Sequence, residues 1–226
     1  MLKIVAYWTN DYYYGKSIDL SHSLNRFGVT YEIKRVTGPE TWAQAVSYKP
    51  RFILDCLLSS SCEYIGYTDA DSRLLRAIPG GAISGDVAYT PFKRSPHHEE
   101  EALTGTLFFK NTMEVRALVL QWAEATEKYQ HSFTPEQHSL KEVMAHSTLD
   151  FQRLGPEWCF IFDDMREIYP DASPIFEHYQ ASREYKTLEA QGKAGQAKVS
   201  DMQGERGPIG PVGDSSEWTR AKGRSK

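Results

Sequence analysis

The chain has 226 residues, 26 lysines and arginines against 30 aspartates and glutamates, and a formal net charge of −4. This length fits one α/β domain or two small ones. The charge is too mild to indicate nucleic-acid binding, and no apolar run approaches the ~20 residues that cross a bilayer.

The first part of the chain alternates strand and helix patterns. A strand is predicted over residues 2–9, a tyrosine-rich loop over 10–15 and a helix over 20–27 that ends at Gly28. A second strand is expected at 29–33 and a short helix at 41–47. A further helix is predicted to begin at Pro50, so Lys49 is interpreted as a helix-start lysine in preference to a phosphate contact. The apolar run 64–68 predicts a buried strand, which completes a β-α-β-α-β pattern typical of nucleotide-binding folds.

The alternation continues further along the chain. Strands are predicted at 87–90, 107–110 and 175–177, and helices around 115–122 and 135–145. Strands that alternate with helices predict an α/β domain with a largely parallel or mixed sheet flanked by helices.

The last 40 residues differ from the rest in composition. They contain only one aromatic residue, Trp218, of the 28 in the chain, so they bury too little apolar surface to fold alone. We therefore predict a domain over 1–186 and a glycine-rich tail over 187–226. Glycine stands at every third position of 204–215, as the collagen triple helix requires. The tail is interpreted either as a linker with a chance period or as a collagen-like segment that forms a homotrimer.

Two aspartates directly follow the strand predicted at 64–68. Asp69 and Asp71 are two positions apart, and in an extended chain such residues point to the same side. Two carboxylates can then hold one hard divalent cation, and Mg²⁺ and Mn²⁺ commonly share such ligands with substrate phosphates. Aspartates are also common in ordinary turns, so this pair alone leaves both interpretations open.

The order of several motifs resembles that of a known enzyme family. A Lys-Pro-x-Phe-Ile segment at 49–53 precedes the Asp-x-Asp strand, and further motifs follow at 103–112, 135–140, 154–158 and 175–178. The series resembles glycosyltransferases of the GT-A fold, most closely the glycogenin and lipopolysaccharide galactosyltransferase type, over residues 2–186. The resemblance implies transfer of a sugar from a nucleotide-diphosphate sugar, first of all a UDP-sugar, to a glycan, protein or small-molecule acceptor. It also suggests retention of the anomeric configuration.

The resemblance implies a metal site and a diphosphate contact. In the family the Asp-x-Asp pair and a late histidine hold Mn²⁺, which assigns Asp69, Asp71 and His178 to Mn²⁺ or Mg²⁺ here. This chain has alanine and glutamate where the family's last motif has glycine and lysine. The cation that meets the diphosphate is therefore assigned to Arg183 or Lys186.

The resemblance also implies which residues contact the two sugars and the base. Glu136 and Gln137 correspond to the family's pair beside the transferred sugar. Gly105 and Thr106 correspond to its small-residue strand that lines the donor and acceptor pocket, and Glu101 just before that strand is a candidate contact for an acceptor hydroxyl. The residues expected to contact the nucleotide base are Tyr7, Thr9 and Tyr13.

Two other functions stay open. A nucleotidyltransferase that makes nucleotide sugars shares this fold, although it normally has a glycine-rich basic loop where this chain has tyrosines at 12–14. Alternatively, the domain is a catalytically inert sugar-binding head, and the tail is the working part of a trimeric structural protein.

Cysteine usage and the start of the chain bear on its location. The three cysteines show no CxxC spacing, which favours a reducing compartment, and no signal-peptide pattern occurs at the start. Collagen-like triplets beside a small enzyme domain are similar to those of bacteriophage and microbial proteins. We therefore expect a cytoplasmic protein, in the host cytoplasm if phage-encoded.

Overall fold

The structure is a computed structural model that describes residues 1–95, 97–129 and 134–190, except the side chains of residues 184, 186 and 188–190. The predicted tail, with its triplets at 204–215, lies outside the described residues. In chain order the elements are β1 (Leu2–Trp8), α1 (Asp11–Arg26), β2 (Tyr31–Arg35), α2 (Trp42–Ser59), β3 (Tyr64–Thr68), β4 (Ser72–Leu74), β5 (Val87–Phe92), β6 (Glu101–Lys110), α3 (Met113–Lys128), α4 (Pro135–Ala145), β7 (Phe151–Arg153), β8 (Phe160–Ile161), α5 (Phe162–Ile168), β9 (Phe176–His178) and α6 (Ala181–Ala190).

Six strands form a mixed sheet in the order β2-β1-β3-β6-β5-β7. Strand β1 runs parallel to β2 and β3, whereas β6 is antiparallel to β3 and β5. The ends of β1, β3 and β5 and the beginning of β6 therefore lie at the same edge of the sheet. A second sheet, of order β4-β9-β8, lies beside this edge because β4 follows β3 directly. The expected fold class, an α/β mixed sheet flanked by helices, is confirmed.

Local signals at the helix starts explain where the helices begin. The Asn10 side chain accepts the amide of Tyr13 at the start of α1, and Thr112 caps α3 in the same way. Thr41 and Gln44 form a reciprocal capping box at the start of α2. Such caps satisfy amides that the first helical turn leaves without partners.

Three local predictions were wrong. Residues 11–15 belong to α1 and not to a loop, because the Asn10 cap starts the helix and Tyr12 is buried. The two helices predicted at 41–47 and from Pro50 are one helix, α2, which continues through Pro50. Proline usually breaks a helix interior, but this one packs a continuous buried face from Lys49 to Leu57 against the sheet. Strand β6 begins at Glu101, six residues before the predicted strand.

The core occupies both faces of the main sheet. One cluster joins the sheet to α2, α3 and α4 and includes the fully buried Trp122, and the other joins it to α1 and to the second sheet. Cys56, Cys62 and Cys159 are buried and unpaired. Within the described ranges, no helix combines the length and the apolar character that a membrane crossing requires.

Candidate active site

A cavity of about 580 Å³ opens at the sheet edge where β1, β3 and β5 end and β6 begins. Its size lies within the ~300–1,000 Å³ typical of small-molecule sites. The strand order determines which side chains follow one another along the cavity. Aromatic residues come from β1, acidic residues follow β3, and charged residues lie at the start of β6 and after β5. Most of the residues assigned from the sequence line it: Tyr7, Thr9, Tyr13, Asp69, Asp71, Gly105, Glu136, Gln137, His178 and Arg183.

Asp69, Asp71 and His178 converge in the wall of this cavity. One ligand atom from each lies within 4.8 Å of the other two. Asp69 directly follows β3 and its amide donates to the Gly105 carbonyl of β6 at 2.9 Å. His178 ends β9, where it pairs with Ser72 of β4 just after the two aspartates. The sheet thus brings together residues that are more than one hundred positions apart in the chain.

The environment of His178 fixes its ring and its protonation state. Nε2 lies 2.8 Å from the Thr106 hydroxyl, and no described residue hydrogen-bonds Nδ1. Burial lowers the pKa of His178 to about 4, so the ring is neutral at neutral pH. A Cβ at position 105 would lie 3.0 Å from the His178 ring and 3.1 Å from the Cys159 sulfur. Glycine therefore makes room for this imidazole, and Thr106 orients it without itself lining the cavity.

Asp71 is the member of this group whose charged form is disfavoured. Burial and the adjacent charge of Asp69 raise the pKa of Asp71 to about 6. Its Oδ2 accepts the Ala181 amide at 2.8 Å, which attaches the start of α6 to the site. A cation bound between these carboxylates would offset their mutual repulsion.

Lys49 is a site residue that the sequence interpretation assigned wrongly. It lies in the interior of α2, not at a helix start, and its side chain is only 3% exposed. Its ammonium group lies 3.1 Å from Asp69 Oδ1 and 3.7 Å from Glu136 Oε1. Burial alone would lower the pKa of Lys49, but the two carboxylates more than offset this and raise it. Lys49 is therefore a buried cation between two predicted functional acids.

Glu136 is held by two hydrogen bonds, and one of its carboxylate oxygens has no hydrogen-bond partner among the described residues. The Trp122 indole donates to its carbonyl at 2.8 Å, and the Thr104 hydroxyl donates to its Oε1 at 3.1 Å. Its buried Oε2 has no hydrogen-bond partner among the described residues. Burial raises the pKa of Glu136, and the Lys49 charge opposes that shift. This Oε2 oxygen is closed off from solvent, so a ligand group would reach it only if the lining moves.

The residues expected to contact the base lie at the aromatic end of the cavity. Tyr7 is buried, packs on Phe52, and donates its hydroxyl to the Ala45 carbonyl at 2.6 Å. Tyr13 lies on the first turn of α1 and packs against Tyr185 of α6, with ring centroids 5.4 Å apart and planes tilted by 49°. Trp42 at the start of α2 also lines this end, although the sequence analysis did not select it.

Of the two candidate diphosphate contacts, only Arg183 can be described. Its guanidinium group is paired with Asp163 and Asp164, the latter at 2.8 Å, and its side chain is half exposed. It must exchange these partners to reach a bound anion. The Lys186 side chain lies outside the described part of the chain.

Sequence reasoning did not assign two residues of the lining to the site. Lys49 belongs to the Lys-Pro-x-Phe-Ile segment, but only the three-dimensional structure shows that it reaches Asp69. Arg94 follows β5 and lines the cavity opposite the aromatic end. Nothing in its local sequence separates it from an ordinary loop arginine.

Comparisons with known proteins show the fold of this chain. No protein-family model and no curated protein matches the sequence. Among 182 chains of solved structure that resemble it is the crystal structure of a glycosyltransferase involved in the glycosylation of the major capsid of PBCV-1. The match has a TM-score of 0.63 at 13% identity, and it covers 84% of this chain and 98% of the other. The chain therefore has the mixed α/β fold of a glycosyltransferase.

Proposed function

We propose that the chain is a metal-dependent glycosyltransferase that transfers a sugar from a nucleotide-diphosphate sugar, first of all a UDP-sugar. The observation that carries this proposal is the convergence of Asp69, Asp71 and His178 in the cavity wall. The structural neighbour, itself a glycosyltransferase, supports glycosyl transfer in general.

The donor set fits a divalent cation such as Mn²⁺ or Mg²⁺. Two carboxylates supply oxygen ligands, and the neutral imidazole keeps Nδ1 without a partner among the described residues. The raised pKa of Asp71, caused by burial and the Asp69 charge, indicates repulsion that a cation would relieve. The Thr106 hydroxyl would not contact the cation, but its hydrogen bond to Nε2 orients the His178 ring.

In the proposed reaction the bond between the anomeric carbon and the diphosphate oxygen breaks, and a bond from that carbon to an acceptor oxygen forms. The diphosphate leaves with the bonding electron pair, and the acceptor hydroxyl passes its proton to the departing diphosphate oxygen. The bound cation would neutralise the negative charge of the leaving group. Arg183 is proposed to add a second positive charge there by releasing Asp163 and Asp164.

The protein's own residues are proposed to orient the sugar. Glu136 lines the cavity, and its negative charge can stabilise the positive charge that develops at the anomeric carbon. Its unpaired Oε2 is buried, so it would accept a sugar hydroxyl only after a small movement of the lining. The Lys49 ammonium group lies between Glu136 Oε1 and Asp69 and fixes the position of both carboxylates. The base is proposed to bind at the aromatic end, near Thr9 and Tyr13.

The function is tested by titrating the full chain with UDP and GDP in the presence and absence of Mn²⁺. We expect binding by calorimetry only with the metal, loss of binding with EDTA, and slow hydrolysis of the matching nucleotide sugars. Nucleotide binding that EDTA does not affect would contradict metal dependence. Pyrophosphate release from a nucleoside triphosphate would instead support a nucleotidyltransferase.

Gly105→Ala should weaken Mn²⁺ binding about 10- to 100-fold, the usual effect of disturbing a residue that orients a metal ligand. The added methyl group would lie 3.0 Å from the His178 ring and force that ring to move. Gly80→Ala is the matched control, since a Cβ there meets nothing within 4 Å. The comparison uses Mn²⁺ titration monitored by water proton relaxation, and equal affinity of the two variants would contradict this role.

A further inference from the structure

Both carboxylates of the proposed metal site have one oxygen engaged by the protein. Asp71 Oδ2 accepts the Ala181 amide at 2.8 Å. Asp69 Oδ1 accepts the Tyr67 hydroxyl at 2.6 Å and lies 3.1 Å from the Lys49 ammonium group. None of the described residues donates a hydrogen bond to Asp69 Oδ2. The two oxygens of Asp69 are therefore not equivalent toward a cation.

The acceptor capacity of Asp69 Oδ1 is filled by these two donors. An ionised carboxylate only accepts hydrogen bonds, and each of its oxygens has two lone pairs. The Tyr67 hydroxyl must therefore be the donor, and the Lys49 ammonium group, which cannot accept, is the second donor to the same oxygen. A cation that contacted Oδ1 would have to displace one of these charge-assisted bonds. Oδ2 is thus the oxygen that Asp69 offers to a cation.

Both donors are fixed by other contacts. Tyr67 is buried, and its ring packs against Tyr7 and Phe52 with ring centroids 6.0 and 6.3 Å apart. The Lys49 ammonium group also donates to the Thr104 carbonyl at 3.2 Å and to the Thr104 hydroxyl at 3.3 Å. Neither donor can follow the carboxylate if it rotates toward coordination through both oxygens. Such a rotation would leave buried donors without their acceptor, which is costly.

We propose that Tyr67 and Lys49 are positioning residues that restrict Asp69 to one coordinating oxygen, so that the site selects Mn²⁺ or Mg²⁺ over Ca²⁺. This inference rests on the metal site of the proposed function and identifies what determines the choice of cation. Ca²⁺ takes roughly six to eight oxygen ligands and often binds both oxygens of one carboxylate, whereas Mg²⁺ requires a smaller octahedral set. The third proposed ligand, His178, supplies a nitrogen, which also differs from the oxygen ligands that Ca²⁺ prefers.

The inference is tested by titrating the full chain with metal ions in the absence of nucleotide. Mn²⁺ binding is followed by the electron paramagnetic resonance signal of free Mn²⁺, and Ca²⁺ binding by its displacement of bound Mn²⁺. We expect the unchanged chain to bind Mn²⁺ more tightly than Ca²⁺. Tyr67→Phe keeps the packed ring and removes only the donor to Asp69 Oδ1. It should reduce the ratio of the Ca²⁺ Kd to the Mn²⁺ Kd about tenfold, within the usual effect of losing a group that orients a metal ligand.

Tyr64→Phe is the matched control for the hydroxyl. Tyr64 stands on the same strand, donates its hydroxyl to the Ser84 carbonyl at 3.1 Å and lies outside the cavity lining, so its loss should leave the ratio unchanged. The double variant Lys49→Met with Glu136→Gln tests the second donor while removing one charge of each sign. It should shift the ratio in the same direction as Tyr67→Phe.

Equal Kd values for Ca²⁺ and Mn²⁺ in the unchanged chain, or the same ratio in Tyr67→Phe and Tyr64→Phe, would overturn the inference. A purely structural role of the Tyr67 hydroxyl would weaken both ions alike and leave the ratio constant. Failure of the proposed function has a different signature: the chain would show the ion selectivity and yet bind neither UDP nor GDP with Mn²⁺. If no cation binds at all, both the inference and the proposed metal site are wrong. Thermal unfolding of each variant without metal checks that the fold is retained.

Discussion

Asp71→Asn is expected to abolish Mn²⁺-dependent nucleotide binding and yet give a protein that is more stable in the absence of metal. Affinity should fall more than about 100-fold, because the change removes a proposed direct ligand, and outer-layer partners alone account for 10- to 100-fold. Stability should rise by about 0.5–2 kcal/mol, because the variant no longer places a second negative charge beside the partly exposed Asp69. The asparagine oxygen can still accept the Ala181 amide that Asp71 binds at 2.8 Å, so α6 should stay attached.

Asp69→Asn should also abolish metal-dependent binding but change stability in the opposite direction. Asp69 is the nearest carboxylate to the buried Lys49 ammonium, at 3.1 Å, and Tyr67 donates to the same oxygen at 2.6 Å. Its loss leaves Glu136 as the one carboxylate beside Lys49 among the described residues, with Thr104 as the remaining polar partner, and should lower stability by about 1–3 kcal/mol. The two substitutions are thus predicted to have the same effect on metal-dependent nucleotide binding and opposite effects on the stability of the fold.

Both variants are measured by chemical denaturation without metal and by nucleotide titration with Mn²⁺. Asp55→Asn, on the exposed side of α2, is the matched control and should change neither quantity. If Asp69→Asn and Asp71→Asn change stability in the same direction, Lys49 does not stabilise Asp69 more than it stabilises Asp71. Retained metal-dependent binding in both variants would contradict the assignment of the metal site.

The sequence predicted the Asp69–Asp71 part of the site because this part depends on a local pattern of apolar and acidic residues. The apolar run before Asp69 and Asp71 defines a strand end, and strand ends at a sheet edge are where α/β folds bind ligands. His178 was assigned only through the family resemblance, since nothing in its spacing relates it to residues more than one hundred positions earlier. The pairing of β9 with β4, which brings it there, is a tertiary contact that local pattern does not encode.

The errors have physical causes, of which one is partly local and the other is tertiary. The tyrosines at 12–14 suggested a loop by composition, but the Asn10 cap and the burial of Tyr12 make this segment helical. Pro50 suggested a helix start, but burial against the sheet keeps α2 continuous through it. Because α2 continues through Pro50, Lys49 lies on the buried face of the helix. In the first case a local cap and packing act together, and in the second case packing outweighs the local propensity of proline.

Lys49→Met is expected to destabilise the protein by about 3–5 kcal/mol, the usual effect of removing one partner from a buried ion pair. It leaves Asp69, Asp71 and Glu136 close together without the ammonium that now lies between Asp69 and Glu136. Because such a variant can fail to fold, the double variant Lys49→Met with Glu136→Gln is prepared in parallel. It removes one charge of each sign and should recover part of the lost stability.

Glu136→Gln alone separates the role of this acid in turnover from its role in the fold. Nucleotide binding with Mn²⁺ should persist, because Glu136 is not among the proposed metal ligands. Turnover of the nucleotide sugar should fall by about 10²–10⁴-fold, because a neutral amide replaces the negative charge proposed to offset the positive charge that develops in the cavity. The measurement is kcat alongside the nucleotide Kd, with Glu114→Gln on the exposed first turn of α3 as the matched control. If kcat stays within a few-fold of the unchanged chain while Kd is constant, the negative charge of Glu136 does not stabilise the reacting sugar, and the carboxylate serves only to hold Lys49 in place.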